Sequence, residues 1–212
     1  HVPDALLAAD HAVLLKRIVK GVARKYDYDA TFMAKPYGQS AGSGMHVHVS
    51  LLDEAGNNVF ALEDGLPTPM LRHAVGGVVS TMAESMAIYA PNANSFRRVT
   101  VSEHAPMYAS WGVETRSAAI RIVSSRRDAT RLEHRVAGAD SNPYLVLAAI
   151  LSGALLGLRE QLDPGAPLIN DLHTAEHNLL PNNQNYALEL FEGSQFIADA
   201  LGADYKALYL AC

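Results

Sequence analysis

The fifteen-residue run YLVLAAILSGALLGL, residues 144–158, constrains the fold more than any other stretch. As a helix it is apolar nearly all round, so it offers water no polar face and calls for cover from the rest of the chain. It is shorter than the roughly 20 residues a bilayer span needs, and small residues interrupt it. The run therefore reads as a buried helix, opened by Asn142-Pro143 and closed near residue 162 before DPGAP. With 212 residues the chain is long enough to build a core around it, and 49% apolar residues place it among globular sequences.

The other patterns sort into helices and strands. Asp4 caps a helix running to about residue 25, with Leu6, Leu7, Val13, Leu14, Ile18 and Val22 as its apolar positions. Residues 31–34 and 45–51 read as strands, and DEAGNN, residues 53–58, as a hairpin turn around Gly56-Asn57. Thr68-Pro69 opens a helix to about residue 88, in which Gly76-Gly77 permits close packing. Residues 90–116 are rich in Pro, Asn and Arg and read as irregular. Residues 118–123 and 131–136 alternate like strands. PNNQN, residues 181–185, divides the remainder into two or three short helices. The fold class expected is α+β, with strands and helices in separate groups.

A net charge of −5, from 17 basic and 22 acidic residues, argues against nucleic-acid or anionic-membrane partners. Cys212 is the one cysteine, so no internal disulfide can form and a cytoplasmic location is expected. The chain opens at His1 without a Met and stops inside a helical pattern. It is expected to be a piece of a longer polypeptide.

The chemistry concentrates on the strands. In GSGMHVHVS, residues 42–50, His46 and His48 share one face, Ser50 continues it, and Val47 and Val49 take the other. Two histidines alone suit either a solvated surface or part of a metal site. In RLEHR, Arg131, Glu133 and Arg135 share a face, and in SAAIRIV Arg121 opposes Ile120 and Ile122. If these strands join one sheet, a single face collects two His, one Glu and three Arg. A salt-bridged solvated face is one reading. The other is metal and nucleotide-phosphate chemistry. One carboxylate and one imidazole suit Mg²⁺ or Mn²⁺ when phosphates supply further oxygens, and arginines stabilise a moving phosphoryl group. Arg98 and Arg116, in the flanking segments, are suited to carboxylate or phosphate.

The stretches KPYGQSAGSGMHVHVSL (35–51), NANSFRR (92–98), ETRSAAIRI (114–122) and RLEHRVAGADSNPYLVLAAIL (131–151) resemble the catalytic domain of the glutamine synthetase family. The wording EHRVAGADSNPY and ASWG is most similar to the branch of glutamate–amine ligases that includes gamma-glutamylputrescine synthetases. The resemblance implies a partial catalytic domain with a curved antiparallel sheet backed by helices, and ATP-dependent ligation. The glutamate side-chain carboxylate takes the γ-phosphoryl group of ATP, and an amine then displaces phosphate. It implies His46 and Glu133 as ligands of Mg²⁺ or Mn²⁺. His48, Ser50, Arg116, Arg121 and Arg131 fall at nucleotide positions, and Arg98, Arg135 and Gly42 at glutamate positions, with Arg98 and Arg131 also serving the transferring group. Gly42 and Gly44 then let backbone approach substrate. The substrates implied are glutamate and an amine, and the whole protein is expected to form a homo-oligomeric ring.

The sequence departs from that pattern in several places. Ammonia-using members carry a flap motif whose Glu traps ammonium. Here SEHAP, residues 102–106, puts His104 in that place, and a neutral His104 can take a proton from a bulkier amine near pH 7. The acceptor expected is therefore an organic amine such as a polyamine, with ammonia as the alternative. Ala41 stands where the family often has Asn, and nothing resembles the adenylylated tyrosine loop of some bacterial members. The family's upstream metal glutamates and its N-terminal β-domain are expected outside these 212 residues, so the chain is expected to be inactive by itself. A non-catalytic homologue and a guanidino phosphotransferase are the remaining readings.

Overall fold

The computed structural model describes residues 4–101, 105–124, 129–169 and 178–211, except the side chains of residues 100 and 101. Its centre is a four-stranded sheet in the order β1 (Val47–Val49), β5 (Arg131–His134), β4 (Ile120–Val123), β3 (Trp111–Val113). The β1–β5 and β5–β4 pairings are antiparallel, whereas β3 runs parallel to β4. A two-stranded antiparallel pair, β2 (Tyr108–Ala109) with β6 (Asn178–Leu179), stands apart.

The registers put His48 opposite Glu133 and Glu133 opposite Arg121, a polar row across three strands. Alternation turns Ile120, Ile122, Leu132 and His134 to the other face, where all are fully buried. That face packs on helices. The helix α5 (Pro143–Glu160) has Asn142 as its cap, accepting from the Tyr144 N–H at 3.0 Å. It lies against α2 (Pro69–Ser80), capped by Thr68. The two helices touch backbone to backbone. A Cβ on Gly77 would stand 2.0 Å from the Gly153 carbonyl oxygen, and one on Gly157 2.0 Å from that of His73. The Gly76-Gly77 expectation is met here. α5 is the one described helix long and apolar enough to span a bilayer, yet it buries Val146, Ile150, Gly153 and Gly157 against neighbours and leaves Leu151 and Leu155 exposed. It is a core helix with one outward face rather than one covered all round.

Three expectations differ from the structure. Residues 31–34 form no strand: the Ala34 carbonyl accepts from the Ser43 N–H and the Lys35 N–H donates to the Asn94 side chain, so loops take the backbone groups a ladder would use. The helix after Thr68 stops at Ser80, where Thr81 and Ser85 hydroxyls bond carbonyls four residues back; a short α3 (Met86–Tyr89) resumes it. Residues 90–116 contain α4 (Ala93–Val101), β2 and β3. Tertiary pairing overrides the Pro-, Asn- and Arg-rich composition there.

At the N-terminal end, Asp4 caps α1 (Ala5–Lys25) as expected, accepting from the Leu7 N–H at 2.8 Å. The side it turns inward is the small one, Ala8, Ala9 and Ala12, and Lys16 Nζ reaches the Ser141 carbonyl at 3.0 Å. Leu6, Leu7, Val13, Leu14, Ile18 and Val22 face outward. Beyond residues 181–185 lie α6 (Gln184–Gly193), α7 (Gln195–Leu201) and α8 (Ala203–Ala211).

Candidate active site

The polar face of the sheet converges on Glu133, whose side chain is only 4% exposed. Burial by itself would raise the carboxyl pKa, but Arg135, then His48 and His46, outweigh it and hold the group below the usual carboxylate range. Its Oε1 lies 2.9 Å from His46 Nδ1, 2.9 Å from Arg135 Nη1 and 3.9 Å from His48 Nε2. Its Oε2 lies 3.3 Å from Arg121 Nη1. One buried anion thus gathers two imidazoles and two guanidiniums.

Burial lowers the pKa of both His46 and His48, with Arg135 adding to the effect at His46, while Glu133 pulls the other way at each. Both imidazoles are neutral at pH 7. Arg131 Nε donates to His48 Nδ1 at 3.0 Å, so the His48 proton sits on Nε2, facing Glu133. Arg131 Nη1 donates to the Ala129 carbonyl at 2.8 Å. Ser50 continues the face only in part: its hydroxyl turns to the Thr130 carbonyl at 3.3 Å.

His46 Nδ1 and Glu133 Oε1 stand 2.9 Å apart as a hydrogen bond, with Nδ1 as the donor. The pair could hold a divalent cation once that proton leaves, since two cis ligands of an octahedral ion with bonds of about 2.1 Å stand roughly 3.0 Å apart. Among the described residues no group of three or more His, Cys, Asp or Glu side chains could hold a metal ion. The pair offers two ligands, and further oxygens have to come from elsewhere.

The remaining candidates are placed variously. Arg98, on α4 rather than in an irregular segment, is buried and donates from Nη1 to the Val136 carbonyl at 2.7 Å and from Nη2 to that of Arg135 at 3.2 Å. Burial lowers its pKa, against the pull of Asp140. Gly42 and Gly44 lie directly on it: a Cβ at Gly44 would sit 2.6 Å from Arg98 Nη2, and one at Gly42 2.7 Å from the Ala34 carbonyl oxygen. In this arrangement both glycines accommodate the arginine. Arg116 is exposed in the turn between β3 and β4. His104 lies outside the described residues. The core histidine, His134, has both ring nitrogens buried without a partner and packs on the Tyr89 ring at 4.4 Å.

Two residues escaped the sequence reading. Glu114, in the ETR stretch, pairs with Arg121 through Nη2. Asp140 accepts from Ser95 Oγ at 2.6 Å and Asn92 Nδ2 at 3.1 Å, fixing the start of the helix that carries Arg98. Periodicity marks neither: Glu114 acts across the β3–β4 turn on Arg121 and Ser124, and Asp140 acts on residues 45 and 48 positions away.

Comparison with known proteins places these features in a family. The family described as "Glutamine synthetase, catalytic domain" matches residues 1–212. The chain is 41% identical over 212 residues to gamma-glutamylputrescine synthetase PuuA of Escherichia coli (strain K12), covering 100% of this chain and 45% of that protein. It is 40% identical over 178 residues to the glutamate–isopropylamine ligase of a Pseudomonas species, covering 83% and 39%. Among solved structures, "GmaS/ADP complex-Conformation 1" superposes with a TM-score of 0.88 at 35% identity, covering 98% of this chain and 50% of that one. The chain spans about half the length of the curated relatives it matches.

Proposed function

The chain belongs to the glutamine synthetase family, through its catalytic domain, and on that premise we propose that the whole protein is an ATP-dependent glutamate–amine ligase. The observation that carries the reading is the Glu133 cluster. A buried carboxylate, a neutral imidazole hydrogen-bonded to it and three arginines share one sheet face.

In this reading the γ-carboxylate of glutamate attacks the γ-phosphorus of ATP and ADP leaves. The amine nitrogen then attacks the acyl carbon of the γ-glutamyl phosphate, and phosphate leaves with the bonding pair. His46 and Glu133 would hold Mg²⁺ or Mn²⁺, which when bound neutralises charge on the phosphates. Arg131, Arg121 and the exposed Arg116 face the nucleotide phosphates, with His48 and Ser50 beside them. Arg135 takes the glutamate and the transferring group. Arg98 adds positive charge from beneath Gly42 and Gly44, which shape the glutamate pocket. Neutralising a phosphoryl group in transit is mostly a matter of pre-placed positive charge, and Arg98, Arg121, Arg131 and Arg135 are held by protein partners before substrate arrives. His104 is the proposed base for the incoming amine. Glutamate and the amine are the partners, and a homo-oligomeric ring is proposed for the whole protein.

An organic amine is the acceptor we favour. SEHAP places no carboxylate at His104, and two relatives carry amine-ligase names. The test is mass-spectrometric product analysis of the whole protein with glutamate, ATP and Mg²⁺, offering ammonia, putrescine, isopropylamine and methylamine in parallel. A γ-glutamylamine formed in preference to glutamine supports the proposal. Robust glutamine formation with no amine product sinks it in favour of ammonia, a reading that the 37% identity to the glutamine synthetase of Thermococcus kodakarensis keeps in play.

A further inference from the structure

The turn between β3 and β4 holds a residue to which the proposed reaction gives no role. Glu114 has φ 54°, a left-handed conformation that a glutamate seldom adopts. Its backbone N–H donates to the Ile122 carbonyl at 2.9 Å, which anchors the turn. From there its carboxylate comes back over β4. Oε1 accepts from the Ser124 N–H at 2.6 Å and the Ser124 hydroxyl at 3.3 Å, and Oε2 takes Nη2 of Arg121. The other terminal nitrogen of Arg121 faces Glu133, and its Nε is buried.

The arginine is therefore spanned by two carboxylates, an inner and an outer one. Glu133 is 4% exposed, and Glu114 is 42% exposed. Glu133 is shared with Arg135, so it is Glu114 that offsets the charge of Arg121 on the solvent side. An anion approaching from solvent meets Glu114 before it can pair with Nη2.

We propose that Glu114 is an anionic competitor built into the site: it occupies Arg121 until a polyphosphate displaces it. The inference rests on the reading of this sheet face as a polyphosphate site and adds to it a residue that sets selectivity. Only an anion of high enough charge density wins the guanidinium, so triphosphate is favoured over monophosphate. A merely structural Glu114 would act in the opposite direction, because removing it would loosen Arg121 and weaken binding.

Glu114→Gln separates the two. Glutamine is isosteric and its carbonyl oxygen can still accept from Ser124. Calorimetry on the whole protein with inorganic tripolyphosphate and with ATP, each with Mg²⁺ at low salt, is expected to show binding about 3–10-fold tighter than wild type. Raising the salt narrows the gap, and adenosine affinity does not change. Most of the gain disappears in an Arg121→Ala background. Glu114→Gly, which also relieves the left-handed backbone, gives the same tightening and guards against a local fault of the first variant. Wild-type binding with equal or weaker affinity in both variants overturns the competitor alone. A gain undiminished by Arg121→Ala also overturns it. No tripolyphosphate or ATP binding by any variant overturns both the competitor and the polyphosphate reading.

Discussion

Residues 133 and 134 are neighbours in sequence and opposites in environment. Glu133 is buried with four charged or imidazole partners, while His134 is buried with none for either ring nitrogen. Burial pushes the His134 pKa down to about 3, with Arg98 and His46 adding to the effect. The sign of the consequence is fixed. Unfolded chain binds a proton near pH 6.5 that the folded chain refuses down to about pH 3. Stability tied to this residue is therefore fully present above pH 6.5 and falls as pH drops through the window. The limiting slope is about 1.4 kcal/mol per pH unit, or roughly 2 kcal/mol at pH 5. His134→Leu removes the protonation site, so urea midpoints measured from pH 7.5 to pH 5 should fall less for the variant than for wild type. Parallel curves would show that His134 contributes nothing to the acid sensitivity.

At the scale of elements, one substitution has opposite signs in two helices. Gly77→Ala drives a methyl into the backbone of α5, where nothing can move aside, and is expected to cost about 3 kcal/mol or more. Gly21→Ala, on the exposed side of α1 with no atom within 4 Å, is expected to gain about 0.5–1 kcal/mol from helix propensity. Thermal unfolding of the two variants beside wild type checks both. The same contrast explains what could be read from sequence. The helix caps at Asp4, Thr68 and Asn142 and the alternation of His46, His48, Glu133 and Arg121 are local, and each stands where local rules put it. Strand β3 exists by pairing with β4 and helix α4 is anchored by Asp140, and a Pro-, Asn- and Arg-rich composition signals neither. The apolar positions of α1 are equally silent about cover. An amphipathic pattern says that a helix has two faces, and only the neighbours decide which one is covered.

For the whole molecule, α1 is the feature that most affects behaviour in solution. Leu6, Leu14, Leu15 and Ile18 are each at least half exposed along one helix. Contiguous apolar surface of this kind attracts apolar ligands. The chain is expected to enhance the fluorescence of a hydrophobic dye, and Leu14→Glu with Ile18→Glu should cut that signal while leaving far-ultraviolet circular dichroism unchanged. A signal untouched by the double variant would place the dye elsewhere. The acidic balance of the chain does not extend to this helix, which carries Lys16, Arg17, Lys20, Arg24 and Lys25 against Asp10.

The alternation along β5 has a further consequence, in evolutionary terms. Because Glu133 serves the polar face and His134 the core, deleting or inserting one residue in this strand would swap them. A carboxylate would enter the apolar layer and an imidazole would take the centre of the site, so foldability and chemistry would be lost together. The strand therefore tolerates exchange of one side chain for another far better than a change of length, and an insertion is better borne in the connections outside the sheet.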